Sequence, residues 1–257
     1  MNRFAQAIAS TFELLSRFVV PLYFDDRRGR PQLVGSAFFV RRGSATLLVS
    51  AAHVLEEGRS RQLYYYAAAK TKRWVSGKFT CNAWTGPREN DLLDLAAVRL
   101  EGPALPPYQD LNKWPLDVTT ITYASAPVPT ARYGLIGFPA SRSRIRVHPA
   151  EVRVEPYGHL AQPAPLREYA ARGLRAESHL YLVFNRKKSI GLQGQGVSFP
   201  KPHGLSGSPV FEIYDEAKSH QGEAFPLAGV VTTWRPQEHR LLCAASAALR
   251  ELIEVAA

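Results

Sequence analysis

The sequence predicts an all-β protein made of two antiparallel β units bracketed by an N-terminal and a C-terminal α-helix. Three observations predict it. Short runs of β-branched and aromatic residues recur between turn signals on both sides of a polar, proline-rich stretch, Gly102 to Asp117. Helical periodicity is confined to the two ends of the chain and one short interior segment. The chain of 257 residues, 46% hydrophobic, is long enough to bury a sizeable core, and its 19 prolines and 18 glycines are scattered rather than gathered into a low-complexity tract. It reads as one compact globular protein.

At the N-terminus, Phe4, Ile8, Phe12 and Leu15 follow helical spacing, and Glu13 and Arg17 stand four apart in the orientation that supports a helix. The helix is expected over residues 1–18, packed on the rest of the chain. The first β unit, 19–115, takes "VVPLYF", the turn "DDRRGRP", "LVGSAFFV", the break "RRGS" and "ATLLVSA", the last two runs forming a hairpin. "QLYYYAA", "RWVSGKFTCNAW" and "DLAAVRL" are its further strands. The second unit, 116–243, takes "YGLIGFP", "IRVHPAEVRVE", "HLYLVFN", "SPVFEIY" and "PLAGVVTTW", with a short helix inside "QPAPLREYAARGLRAESH". Many short strands at this spacing suit barrels or sandwiches. The end, 244–257, is strongly helical in "AASAALRELIEVAA".

The formal charge of +10 concentrates at Arg142, Arg144 and Arg146 and at Arg186, Lys187 and Lys188. A basic balance favours acidic partners such as nucleic acid, but it equally describes a solvated basic face, and no nucleic-acid motif accompanies it. Cys81 and Cys243 lie in apolar stretches and read as buried free thiols, although a single disulfide is compatible with the sequence. Neither has metal-ligand spacing to a histidine, so no metal or other cofactor is expected. Glu13 and Arg17 interrupt the first apolar run before a signal peptide could be complete, and no run reaches membrane-spanning length. A soluble, cytoplasmic protein is expected.

Three short stretches carry the chemistry. In "LLVSAAHVLEEG", His53 follows an apolar strand where it gives way to a helical turn. In "NDLLDLAAVRL", Asp94 opens an apolar strand, with Asp91 three residues earlier as a weaker stand-in. In "PHGLSGSPVF", Ser206 lies between Leu205 and Gly207 on a loop that runs into a strand, with Ser208 close by. Taken singly, these are a core or capping histidine, a strand-end carboxylate and a turn serine. Together, in this order, Ala51-Ala52-His53, Asp94-Leu95-Ala96 and Gly204-Leu205-Ser206-Gly207-Ser208-Pro209 resemble the trypsin-like, chymotrypsin-fold serine peptidases. The resemblance extends over nearly the whole chain from Val19 onward.

That resemblance implies two six-stranded antiparallel β-barrels and a serine endopeptidase whose catalytic residues are His53, Asp94 and Ser206. A serine hydroxyl needs a base within hydrogen-bond reach, which imidazole supplies, and the imidazole needs a carboxylate to hold it in one tautomer. Gly204 and Ser206 would give the oxyanion-hole N–H groups, and Ser208 aligns with a small-residue site. Thr232, Thr233 and Trp234 fall where the substrate backbone pairs with "GVVTTW", Pro200 falls at the position that sets primary specificity, and His203, beside the loop glycine, is either a contact for an acidic substrate side chain or a surface histidine. Trp234 stands where a glycine is common, which reshapes one side of the groove. Pro200 replaces the aspartate that sets tryptic specificity, so cleavage after Arg or Lys is not implied. Leu205 replaces the aspartate of zymogen-type members, and the chain opens on a helix rather than an Ile-Val-Gly-Gly type terminus, so the closer likeness is to bacterial, non-zymogen members.

Protein or peptide substrates are therefore expected, with control by loop ordering, a regulatory protein partner or another protease. Quality control and a defence or signalling cascade are both compatible roles. A catalytically silent adaptor built on the same barrels and a nucleic-acid binder using the basic patches are the competing readings.

Overall fold

The computed structural model describes residues 3–67, 71–105, 113–124, 127–142, 144–146, 151–153, 155–190, 196–213 and 225–257. The N-terminal helix, α1 (Arg3–Ser16), delivers Phe12 and Leu15 into the core at 0% and 1% exposure. The side chains of Phe4 and Ile8 lie outside the described residues.

The first β unit contains β1 (Val19–Asp25), β2 (Pro31–Arg42), β3 (Ala45–Ala51), β4 (Tyr64–Ala67), β5 (Thr71–Trp74), β6 (Gly77–Cys81), β7 (Leu95–Leu100) and β8 (Leu116–Asp117). They form one curled sheet in the order β5-β4-β1-β2-β3-β7-β6, with β8 pairing parallel to β2. Among the described residues this sheet is a half-barrel with β5 and β6 at its edges. The expected β2–β3 hairpin turns at Gly43, whose φ of +57° a tight hairpin requires and a β-carbon resists. β3 is buried at every position, which is why its sequence is apolar without alternation. After β3 the chain enters α2 (Ala52–Ser60), seating Ala52, Val54 and Leu55 against the sheet.

The second unit contains β9 (Arg132–Gly137), β10 (Arg144–Arg146), β11 (Glu151–Arg153), β12 (Tyr157–Pro163), β13 (His179–Val183), β14 (Ser189–Ile190), β15 (Gly196–Val197), β16 (Pro209–Ile213), β17 (Leu227–Arg235) and β18 (Arg240–Ala245). Six of them close into a barrel in the order β12-β13-β18-β17-β16-β9, and closure removes exposed strand edges. The short helix α3 (Leu166–Ala170) falls in the interior segment where one was expected, and α4 (Ser246–Ala256) ends the chain. In α4 the buried residues Leu249, Leu252, Ile253 and Ala256 repeat at helical spacing.

One cluster joins the two units. It takes Phe12 and Leu15 from α1, Phe38 and Val49 from the first sheet, Ile136 and Val230 from the barrel, and Leu249 and Ile253 from α4. The terminal helices thus pack where the β units meet. Phe12 lies flat against Gly158, where an added β-carbon would come within 2.6 Å of its ring. Cys81 and Cys243 are both free, the first half-buried and the second fully buried, and burial pushes the Cys243 thiol pKa up. Among the described residues no helix is long and apolar enough to cross a membrane. The side chains of Arg142, Arg144, Arg146 and Lys188 lie outside the described residues, while Arg186 donates through Nε to the Phe199 carbonyl at 2.9 Å.

Candidate active site

Strand register brings His53 and Asp94 together. β3 and β7 are antiparallel neighbours with Ala51 opposite Leu95, so the residues just beyond this pair, Ala52 and Asp94, also face each other. The Ala52 N–H donates to the Asp94 carbonyl at 2.7 Å, and the His53 N–H donates to Asp94 Oδ1 at 2.9 Å. The second carboxylate oxygen lies 2.5 Å from His53 Nδ1. A carboxylate can only accept in this contact, so the hydrogen bond selects the tautomer with its proton on Nδ1, which leaves Nε2 as an acceptor. The imidazole is 44% exposed and the carboxylate 4%. Asp94 holds φ at +42°, a conformation that costs about 1–3 kcal/mol and gathers at functional sites.

Of the two alternatives raised by the sequence, Asp91 is committed elsewhere and Ser208 is buried. Asp91, 6% exposed, accepts from Asn82 Nδ2 and from Arg88 Nη1, at 2.9 and 2.5 Å. Asn82 in turn accepts from the Leu95 N–H, so Asp91 braces the loop that presents Asp94. The Ser208 hydroxyl is fully buried against Gly137 and has no hydrogen-bond partner among the described residues.

The loop from Pro202 to Pro209 is held by hydrogen bonds to its backbone. The His203 carbonyl accepts from the Ala140 N–H at 2.7 Å, and the Leu205 carbonyl from the Ser208 N–H at 2.9 Å. The Gly204 carbonyl accepts from the Ser36 hydroxyl at 2.8 Å, and the Ser206 carbonyl from the Ser36 N–H at 2.8 Å. Leu205 N–H donates to Pro202, and Gly207 N–H to Val231. Among the described residues, the N–H groups of Gly204 and Ser206 have no protein acceptor. Each follows a carbonyl pinned in the opposite direction, and a planar trans peptide therefore turns each N–H away from that carbonyl's partner. Gly204 and Gly207 hold φ at +93° and +87°, and a β-carbon on Gly207 would fall 1.9 Å from the Ser36 carbonyl.

Gly35 marks the point where the two halves of the site converge. A β-carbon there would lie 2.7 Å from the Val54 side chain, next to His53, and 2.9 Å from the Ser206 carbonyl. Ser206 itself is partly buried, and its hydroxyl donates to the Thr232 carbonyl at 3.1 Å rather than to the His53 ring.

The expected substrate-side residues flank this loop. Thr232 is buried at a register shift between β17 and β18, with its own hydroxyl donating to the Leu242 carbonyl. Thr233 is exposed, whereas Trp234 is half-buried and packed on the barrel core, with its ring perpendicular to that of His203 at 6.1 Å. Pro200 is buried. Sequence reasoning missed Ser36, which holds two carbonyls of the loop. A lone polar side chain inside the apolar run "LVGSAFFV" was the available signal, because a strand buried there must give its hydroxyl partners.

No protein-family model and no curated protein matches this sequence. A solved structure of the VesB protease of Vibrio cholerae superposes with a TM-score of 0.53 over 95% of this chain, at 13% identity. The chain has a two-barrel, chymotrypsin-like fold. This chain spans 64% of the length of the VesB protease chain. At that identity the likeness concerns the arrangement of the barrels.

Proposed function

We propose that this chain is a serine endopeptidase in which Ser206 is the nucleophile, His53 the general base and acid, and Asp94 the group that orients and stabilises the imidazolium. The whole of 1–257 acts as one peptidase domain, with the two β units supplying opposite sides of the site. The observation that carries this reading is the pair of N–H groups on Gly204 and Ser206 that have no protein acceptor among the described residues, on a loop whose carbonyls at His203, Gly204, Leu205 and Ser206 are each held by a donor. Such a pair, next to a serine and across from a His–Asp couple, is what a developing oxyanion requires.

In the proposed reaction Ser206 Oγ attacks the substrate carbonyl carbon while its proton passes to His53 Nε2. The carbonyl oxygen takes the negative charge toward the Gly204 and Ser206 N–H groups. The tetrahedral species collapses with cleavage of the C–N bond, and the leaving amine takes the proton from His53. Water then repeats the sequence: His53 accepts its proton, the new hydroxyl cleaves the acyl-oxygen bond, and Ser206 recovers its hydrogen. Asp94 stays ionised throughout. Thr232 and Thr233 lie along the substrate strand, Trp234 and His203, whose rings meet at 6.1 Å, shape one side of the groove, and Pro200 stands at the specificity position. Proteins or peptides are the substrates, with no tryptic preference.

A fluorophosphonate probe tests the reading. Its phosphorus–fluorine bond breaks as Ser206 Oγ bonds to phosphorus, and fluoride leaves. Labelling of the wild-type chain that vanishes in Ser206→Ala is expected; an unlabelled, folded wild type defeats the proposal. One observation favours the second reading, a silent adaptor on the same barrels: the Ser206 hydroxyl is engaged by Thr232. Hydrogen bonds of catalytic groups commonly tighten only with substrate present, so that contact is compatible with a resting enzyme.

A further inference from the structure

We infer that Ser36, on β2 in the half-barrel opposite the serine loop, is a positioning residue that sets the direction of the oxyanion-binding N–H groups. This rests on the peptidase reading above. Ser36 is 0% exposed and all of its polar groups are used. Its hydroxyl donates to the Gly204 carbonyl at 2.8 Å and accepts from the Phe138 N–H at 3.0 Å. Its N–H donates to the Ser206 carbonyl at 2.8 Å, and its carbonyl accepts from the Ser50 hydroxyl at 2.7 Å. One residue of the first unit therefore grips the carbonyls on both sides of Leu205, and through Phe138 it also touches the segment leading to Ala140.

The reason such a grip matters lies in Gly204. With φ at +93° and no β-carbon, Gly204 lets its flanking peptides turn in ways that an L-residue would resist. A turn of the peptide before it would point its N–H away from an oxyanion and its neighbour's carbonyl toward one, reversing the local dipole. The Ala140 N–H on the His203 carbonyl opposes that rotation directly, and the Ser36 hydroxyl on the Gly204 carbonyl fixes the next peptide, so that Gly204 is clamped from both sides. The Ala140 anchor is a backbone group that any residue supplies. The Ser36 anchor depends on a side chain, so it is the one a mutation can remove. A β-carbon on Gly204 would also fall 2.4 Å from the Phe138 carbonyl, so the loop, Phe138 and Ser36 form one packed unit.

The test compares second-order rate constants for fluorophosphonate labelling with thermal midpoints. Ser36→Ala is expected to label about 10–100-fold more slowly than wild type, somewhat less than the loss on deleting an oxyanion donor outright. Phe12→Leu, on α1 and outside the hydrogen bonds that hold the loop, is chosen to lower the midpoint and should label at the wild-type rate. Ser36→Thr, which keeps the hydroxyl, should recover to within about fivefold of wild type. If Ser36→Ala does not accumulate as folded protein, Ser36→Cys, of similar volume and a poorer donor, must show the same slowing. Wild-type labelling with an unchanged rate in the Ser36 variants overturns this inference alone, as does an equal slowing in Phe12→Leu. Failure of the folded wild type to label overturns the peptidase reading and this inference with it.

Discussion

Acidification should destabilise the protein through His159. This residue is 1% exposed on β12, its ring 4.6 Å from that of Phe184 and 5.9 Å from that of Phe199. Burial among aromatic rings penalises the imidazolium and lowers its pKa from 6.5 to about 4. In the unfolded chain the same histidine titrates near its ordinary value. Between those limits the unfolded state binds a proton that the folded state refuses, so stability falls as pH drops from 6.5 toward 4 and levels off below. At 1.36 kcal/mol per pKa unit the full loss is about 3 kcal/mol. Urea unfolding of wild type and His159→Phe at intervals from pH 8 to 4 measures it. The variant's absolute stability reflects its altered packing, so the comparison uses the difference between the two curves. That difference should shift in the variant's favour by about 3 kcal/mol on acidification, nearly all of it below pH 6.5. Parallel curves refute the argument and place the acid sensitivity in other groups.

Asp94→Asn should leave the fold in place while lowering turnover of a peptide or ester substrate about 10⁴-fold, because the imidazole loses the carboxylate that fixes its tautomer; retained turnover in a folded variant removes Asp94 from the mechanism. Gly35→Ala should slow labelling more than its thermal midpoint suggests, since the new methyl meets Val54 and the Ser206 backbone together; wild-type labelling refutes that convergence. Lys113, whose ammonium donates to the Ser16 carbonyl at the end of α1, has its pKa pulled down by burial to about 8. Unfolded lysine keeps its proton to higher pH, so this residue adds stability as pH rises from 8 toward 10.5; Lys113→Met should flatten that rise in urea unfolding, and an unaltered slope counts against it.

Much of the architecture was readable because it rests on local pattern. The apolar stripe at 249, 252, 253 and 256 marks α4, and the uniformly apolar β3 marks a strand covered on both faces. His53 and Asp94 were readable as a pair only through the order of their motifs; the β3–β7 register supplies the physical reason they meet. Other features depend on contacts between distant segments, which leave little trace in any one stretch. Ser36 reads as an ordinary strand residue until the serine loop is laid against it. The short β8 pairs with β2 after a long connection, and nothing in the dipeptide Leu116-Asp117 announces a strand. The curl of the first sheet, with β5 and β6 left as edges, likewise follows from packing rather than from strand-forming tendency.

Among the described residues, the position before Ser206 holds this loop by apolar burial rather than by an ion pair. Leu205 is 1% exposed and packs with Leu135, Phe199 and Val210 in the barrel core. Burying such a side chain contributes about 2 kcal/mol, with no charge to desolvate and no dependence on pH or salt. The loop's order is thus tied to folding of the barrel itself. Leu205→Asp sets that anchor against its charged alternative. A carboxylate placed in this apolar cluster has its pKa raised by burial, so the variant should lose stability as pH rises through the shifted value and be closest to wild type under acid conditions. Urea unfolding at pH 5 and pH 8 should show a deficit of about 3 kcal/mol or more at the higher pH and a smaller one at the lower. Equal stability to wild type at pH 8 would mean that a cation reaches the loop, and that apolar burial is not what holds it.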